Sequence, residues 1–188
     1  EGVDLFLTDS TNAEVPGFVT SESEILPALE QVMASTEKRV IVASFASHEA
    51  QGEEVAAKIG SIFCKVDITS EESVVAGFAK ARAAHGQERV LVHCAMTSKR
   101  GKTLSFDKET GKYKRTSTAD YEFGVQGILV ASYRLASLSA LGMSELEPME
   151  DGERGCITLT ASVAAQDAQI GQVIYGSAQA GVNGLVLP

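Results

Sequence analysis

A serine, a tyrosine and a glutamine near the end of the printed sequence carry the side chains that most directly suggest chemistry: Ser162, Tyr175 and Gln179. Tyr175 and Gln179 are four residues apart, about one helical turn, so both side chains share one face of a helix. A phenol can exchange a proton with a substrate oxygen once its pKa of about 10 is lowered. A cation about 4 Å away would lower that pKa by about three units, whereas glutamine offers hydrogen bonds but no charge.

Metal chemistry has little support in this sequence. Each of the three cysteines lies in an apolar, strand-like run, and none has zinc-ligand spacing: Cys64, Cys94 and Cys156. We therefore predict buried free thiols and no metal site.

The net charge of −9 argues against a general nucleic-acid binder, but the charge is unevenly distributed. The segment 97–118 holds seven basic residues and two acidic ones, about +5 in total. We predict one long loop here, which is either solvated surface or a contact for an anionic ligand or partner. The acidity of the remaining chain argues against RNA contact. No apolar run is long enough to cross a bilayer.

Strand and helix signals alternate along the 188 residues. They predict a single domain, 1–188, with a Rossmann-like, doubly wound parallel sheet in a three-layer α/β fold. Four β-branched apolar runs are the predicted strands: Lys38–Phe45, Ser61–Asp67, Arg89–Met96 and Gly155–Ser162.

Four helices are predicted before, between and after these strands. The first keeps Ile25, Leu29, Val32 and Met33 on one apolar face, and the second does so with Val74, Val75, Phe78 and Ala81. Thr69 and Glu72 have capping-box spacing at the start of the second helix. The other two helices are predicted over residues 120–141 and 171–187.

The stretches "GKTLSFDKETGKYKRTSTADYEF" and "DGERGCITLTASVAAQDAQIGQVIYGSAQAGVNGLVLP" resemble the type 2 3-hydroxyacyl-CoA dehydrogenases of the short-chain dehydrogenase/reductase superfamily. The resemblance implies NAD-dependent oxidation of short 3-hydroxyacyl-CoA substrates, in a mitochondrial matrix or cytoplasmic setting. It also implies that Ser162 holds the substrate oxygen and that Tyr175 exchanges the proton. The family's lysine, which binds the nicotinamide ribose and lowers the pKa of the tyrosine, is replaced by Gln179.

Other positions also depart from the resembled family. Its helical asparagine aligns with Val125 or Gln126, and its asparagine-alanine-glycine turn aligns with His93–Met96. His93 is either a new acid or base or a packed strand-end residue. Asp67 matches a position facing the adenine in the family, or it is simply a residue that ends a strand and starts a helix.

The glycine-rich phosphate loop of the family is also absent. In one register its three glycines become Ser21, Ile25 and Pro27, and Glu22 and Glu24 add negative charge where a pyrophosphate would lie. An alternative register makes Val3–Ser10 the first strand, and the turn after it again lacks glycines. We therefore expect no bound cofactor, or NAD if the chain is an enzyme.

The residues favour a non-catalytic member of this fold, acting as a structural or regulatory subunit. The alternative is a 3-hydroxyacyl-CoA dehydrogenase with residual or altered activity. Helices 120–141 and 171–188 form a dimer interface in the resembled family, so we expect a homo- or hetero-oligomer through them. Members of that family continue with two later strands, so we expect the C-terminal part of the fold to be missing here.

Overall fold

A computed structural model describes the backbone of residues 5–8, 40–44, 49–58 and 60–186, and the side chains of the last two ranges. A five-stranded sheet has the order β3-β2-β1-β4-β7, and every neighbouring pair is parallel. The predicted doubly wound α/β fold is confirmed. The strands are β1 (Leu5–Thr8), β2 (Val40–Ser44), β3 (Ile62–Lys65), β4 (Val90–His93) and β7 (Cys156–Leu159).

The alternative register correctly located the first strand. β1 lies within Val3–Ser10 and pairs with β2 on one side and β4 on the other. It therefore lies at the centre of the sheet, where the strand order reverses and such folds bind ligands. The residues that follow β1, including Ser21, Ile25 and Pro27, lie outside the described part of the chain.

Five α-helices are described. They are α1 (Glu49–Lys58), α2 (Glu71–His85), α3 (Thr118–Val125), α4 (Ala131–Ser144) and α5 (Val173–Asn183).

Helices cover both faces of the sheet, as the three-layer prediction requires. A Cβ built on Gly52 of α1 would lie 2.2 Å from the ring of Phe63 in β3. On α2, a Cβ built on Gly77 would lie 2.5 Å from Val66. Because successive strand residues point to opposite faces, Phe63 faces α1 while Cys64 joins the buried cluster shared by α2 and α4. No described helix is long and apolar enough to cross a membrane.

Helix α2 begins one residue later than its predicted capping box. Its N-cap is Ser70, whose hydroxyl oxygen accepts a hydrogen bond from the Ser73 N–H at 3.2 Å. Thr69 instead donates its hydroxyl to Asp67 Oδ1 at 2.6 Å. Val75 is 45% exposed, because its direction differs by about 100° from that of buried Val74. The cap prediction was wrong because two adjacent hydroxyl residues offered the same local signal.

The basic segment was predicted to be one long loop, and this prediction was wrong. It contains the antiparallel strands β5 (Leu104–Asp107) and β6 (Lys112–Arg115). The turn between them is closed by Asp107 Oδ1, which accepts from the N–H groups of Glu109 and Thr110 at 3.0 and 3.2 Å. A positive φ of 66° at Gly111 completes the turn.

The helix predicted over 120–141 runs over 118–144 and contains an irregularity. A π-helical turn, Gln126–Val130, separates α3 from α4.

The prediction that all three cysteines are buried free thiols was only partly correct. Cys64 is buried, but Cys94 is half-buried and Cys156 is exposed. The described residues contain no group of His, Cys, Asp or Glu able to hold a metal.

Candidate functional site

A pocket of about 140 Å³ lies beside the C-terminal ends of β4 and β7. This is the edge at which a parallel α/β sheet presents ligand sites. The lining comes from the segments after β4 and β7, from the π turn with the start of α4, and from α5. Its residues are Cys94, Ala95, Met96, Ile128, Ser132, Thr160, Tyr175 and Gln179.

Close packing at a glycine fixes the position of α5. A Cβ built on Gly176 would lie 2.8 Å from the carbonyl oxygen of Ala164 and 2.7 Å from Cβ of Ala168. The absence of a side chain at Gly176 thus lets α5 lie directly on the turn that follows β7. In this position Tyr175 is half-buried, Gln179 is 2% exposed, and both line the pocket. The shared face predicted from their spacing is present.

Ser162 caps the 3₁₀ turn Val163–Ala165 that α5 packs against. Its hydroxyl oxygen accepts a hydrogen bond from the Ala164 N–H at 3.2 Å. Ser162 is half-buried but is not among the residues that line the described pocket. Thr160 lies there instead, and its hydroxyl donates to Cys94 Sγ at 3.2 Å. Sequence reasoning missed Thr160, although its position just after β7 at the sheet edge was a usable signal.

The amide of Gln179 is buried with poor hydrogen bonding. Its Nε2 approaches only Met96 Sδ, at 3.9 Å, and its Oε1 has no partner among the described residues. The predicted alignment puts Met96 at the glycine of the resembled turn, and its thioether lies beside Gln179. Met96 and Gln179 therefore form a packed, uncharged contact. A buried acceptor without a partner costs about 1–3 kcal/mol.

Gln179→Met should raise the free energy of unfolding by about 1–2 kcal/mol, because it removes the unpaired acceptor at similar side-chain volume. Urea denaturation measures this effect. Gln172→Met is the matched control, because Gln172 Oε1 accepts from the Gln169 N–H at 2.8 Å and that bond would be lost. A loss of stability in Gln179→Met equal to that of the control would show that the amide is satisfied.

The carboxylate of Asp67 is engaged in the turn that opens α2. Its Oδ1 accepts from the backbone N–H of Thr69 at 2.9 Å as well as from the Thr69 hydroxyl. The Asp67 N–H in turn donates to Ser73 Oγ at 2.8 Å. These bonds match the interpretation of Asp67 as a strand-end and helix-start residue. Its side chain is exposed and does not line the described pocket.

The π turn holds the segment that follows β4. The carbonyl oxygen of Gly127 accepts from the Thr97 N–H at 3.1 Å, and a Cβ on Gly127 would lie 2.2 Å from the Thr97 carbonyl oxygen. Such turns are often found at functional sites. The two candidates for the asparagine position flank its start, with Val125 half-buried and Gln126 exposed. Neither lines the described pocket.

His93 ends β4 in a buried position, with 2% of its surface exposed. Its backbone carbonyl accepts from the Thr160 N–H at 3.0 Å, which ties β4 to β7. Burial lowers the pKa of the His93 imidazole from 6.5 to about 4. The ring is therefore neutral at pH 7, and it does not line the described pocket.

The depressed pKa of His93 makes stability depend on pH. Between pH 6.5 and about 4 the unfolded chain binds more protons at this residue, so its contribution is complete above pH 6.5 and declines as the pH falls toward 4. The full loss is about 3 kcal/mol. Denaturation of the natural chain and of His93→Gln across this range measures the effect. The difference between their unfolding free energies should change by that amount, and a constant difference would contradict the assignment.

Sequence comparison places the chain beside known dehydrogenases. The short chain dehydrogenase family profile matches residues 27–187. The 3-hydroxyacyl-CoA dehydrogenase type-2 of Drosophila melanogaster is 36% identical over 163 residues, which cover 86% of this chain and 62% of that protein. The chain thus spans less than two thirds of this relative. The crystal structure of the type-2 enzyme from Mycobacterium avium has a similar fold, with a TM-score of 0.71 at 24% identity, covering 98% of this chain and 65% of that one.

A second, shorter similarity is to a different protein. A stretch of 47 residues is 60% identical to ribonuclease J of Mycolicibacterium smegmatis, covering 25% of this chain and 8% of the ribonuclease. The dehydrogenase family match leaves residues 1–26 unmatched. The chain therefore carries sequence shared with two unrelated kinds of enzyme.

Proposed function

Because this chain belongs to the short chain dehydrogenase family, we propose that it is a non-catalytic member that serves as a structural or regulatory subunit of a protein assembly. The observation that carries the proposal is Gln179, a buried and uncharged residue at the position of the family's lysine. Three further features support it: the charge of the pocket, its size, and the origin of the N-terminal segment.

The pocket offers Tyr175 no electrostatic help. None of the eight described lining residues carries a charge. A cation about 4 Å from the phenol would contribute roughly 4 kcal/mol at an effective dielectric near 20. Without one, the phenolate needed for proton exchange loses that stabilisation. Proton exchange through Tyr175 would slow accordingly.

The described residues enclose only part of the sheet edge where a nicotinamide dinucleotide would bind, and that part is small. Cofactor pockets usually enclose about 300–1,000 Å³, and this pocket has about 140 Å³. Met96 reaches toward Gln179 at the place where the family has a glycine. No chemical step through a dinucleotide is therefore assigned to these residues.

The N-terminal segment gives the same proposal a second basis. The ribonuclease-like stretch is assigned to residues 1–47, because residues 1–26 lie outside the dehydrogenase match and a 47-residue stretch from there ends just before α1. That segment includes Ser21, Ile25 and Pro27. On this assignment Ser21 and Ile25 lie outside the dehydrogenase match, so the phosphate loop was not lost there by separate substitutions.

The docking surface of the subunit is assigned to residues 120–141 and 171–188. Large apolar side chains are exposed along both segments, at 38–74% of their surface: Tyr121, Phe123, Tyr133, Leu141 and Val186. Such exposure on neighbouring helices is typical of a surface that a partner covers. Homologous or identical copies are the expected partners.

A 3-hydroxyacyl-CoA dehydrogenase of altered activity is the second candidate, favoured by the position of the basic hairpin. Gly101 donates to the Gly171 carbonyl at 2.9 Å and accepts from the Val173 N–H at 3.3 Å. The hairpin is thus attached beside the start of α5, near Tyr175, where its cations could contact the phosphates of a CoA substrate.

A direct assay separates the two candidates. The chain and the Drosophila relative are compared with NAD and a short 3-hydroxyacyl-CoA at equal concentration. The proposal predicts a kcat/KM at least about a thousandfold below that of the relative, following the loss of about three pKa units of phenol activation. Activity within tenfold of the relative would favour the dehydrogenase.

A further inference from the structure

The basic hairpin, residues 101–116, presents an uncovered apolar face. The register places Leu104 opposite Arg115 and Phe106 opposite Tyr113, so these four side chains project from the same side. The two rings meet edge-on at 5.3 Å. Leu104, Phe106 and Tyr113 are 58%, 55% and 73% exposed. The turn and both ends of the hairpin are hydrogen-bonded within the chain, and a preordered surface loses less entropy when it docks.

Cations lie beside and behind this face, because Lys112 and Lys114 alternate with Tyr113 along β6 and project from the opposite side of the hairpin. Lys102, Lys108 and Lys112 are exposed, and none forms an ion pair with a described residue. Lys114 does so, with Asp107 at 3.4 Å. An acidic surface with some apolar area would complement the hairpin, and the net charge of −9 indicates that the chain itself carries such surface.

One segment matches these requirements. The acidic loop, residues 145–153, reads "ELEPMEDGE". Its five carboxylate residues are exposed, and none is ion-paired with a described residue: Glu145, Glu147, Glu150, Asp151 and Glu153. Pro148 is exposed among them, and Met149 is half-buried. Arg89 fixes the loop by donating to the carbonyl oxygens of Glu147 and Arg154, both at 3.0 Å.

The two surfaces lie at opposite ends of the sheet. The hairpin follows the C-terminal end of β4, whereas the acidic loop precedes the N-terminal end of β7. Because β4 and β7 are parallel neighbours, the hairpin and the loop of one copy cannot meet. We propose that the basic hairpin of one copy docks on the acidic loop of a second copy, with Phe106 and Tyr113 against Pro148 and Met149. The contact is heterologous, and repeated head-to-tail it builds open chains, or rings where the rotation between copies closes.

Sedimentation of the full chain over a range of concentration and salt tests this proposal. At about 10 mM salt, where the Debye length is about 30 Å, the average mass should grow steadily with concentration. At about 1 M salt, where that length is about 3 Å, the growth should stop. A mass that does not change with salt would overturn the proposal.

Charge-reversed variants identify the surfaces. Lys108→Glu/Lys112→Glu alone and Glu150→Lys/Asp151→Lys alone should each fail to grow at low salt. Their equimolar mixture should regain the growth, since each carries the complement of the other's reversed surface. Phe106→Ser/Tyr113→Ser changes the same interface without changing charge and should also weaken growth. Growth in either reversed variant alone, or none in the mixture of folded variants, would overturn the assignment.

Discussion

Restoring a nicotinamide site should require three changes at once. Replacing residues 1–47 with the corresponding segment of the Drosophila relative, together with Met96→Gly and Gln179→Lys, should raise NADH affinity by about a hundredfold or more, equivalent to about 3 kcal/mol. The introduced segment is expected to supply a phosphate loop, the glycine at position 96 opens the space beside position 179, and the lysine supplies the cation. NADH fluorescence measures the binding.

Variants that carry only some of the three changes are the controls. Gln179→Lys alone should not bind NADH, because it places an ammonium beside the Met96 thioether without a phosphate loop. The graft without the two substitutions should bind weakly, since position 179 stays uncharged. A large gain from Gln179→Lys alone would show that the natural N-terminal segment already holds the phosphates.

Glu88→Ala should lower the free energy of unfolding by about 3 kcal/mol. Glu88 is 3% exposed and pairs with Arg82 through two bonds, Nε–Oε2 at 2.9 Å and Nη2–Oε1 at 2.7 Å. The Ser139 hydroxyl donates to the same carboxylate at 2.8 Å. Removal of the carboxylate leaves the buried Ser139 hydroxyl unpaired and the partly buried guanidinium with its 3.2 Å bond to the Leu138 carbonyl alone. This group joins α2, the start of β4 and α4, which carry the core below the pocket.

Glu54→Ala provides the matched control in chemical denaturation. The Glu54 carboxylate pairs with Lys58 at 2.7 Å, but both side chains are exposed, and such pairs contribute little. The denaturant midpoint of Glu54→Ala should equal that of the natural chain. Equal, small effects of the two substitutions would show that the buried group around Glu88 does not stabilise the fold.

The parts of the fold that depend on local pattern could be read from the sequence. β-branched runs located the strands, because buried parallel strands are apolar on both faces. The four-residue spacing of Tyr175 and Gln179 placed them on one face, because helical geometry is independent of context.

Features that depend on tertiary contacts could not be read in this way. The choice of Thr160 over Ser162 at the pocket depends on how the turn after β7 packs under Gly176. The hairpin at 104–115 was predicted as a loop, because its short strands depend on cross-strand pairing and on the turn at Asp107 rather than on a long apolar run. The contact between Met96 and Gln179 joins the segment after β4 to α5. No residue spacing in the sequence predicts this contact.

Calorimetric titration of the natural chain with NADH tests the central claim most directly. A non-catalytic member whose described pocket is small and uncharged should show no saturable heat at cofactor concentrations up to about 1 mM, the limit corresponding to about −4 kcal/mol of binding free energy. The Drosophila relative, titrated in parallel, should bind. Saturable binding by the natural chain with a micromolar Kd would contradict the account and return Tyr175 to a catalytic role.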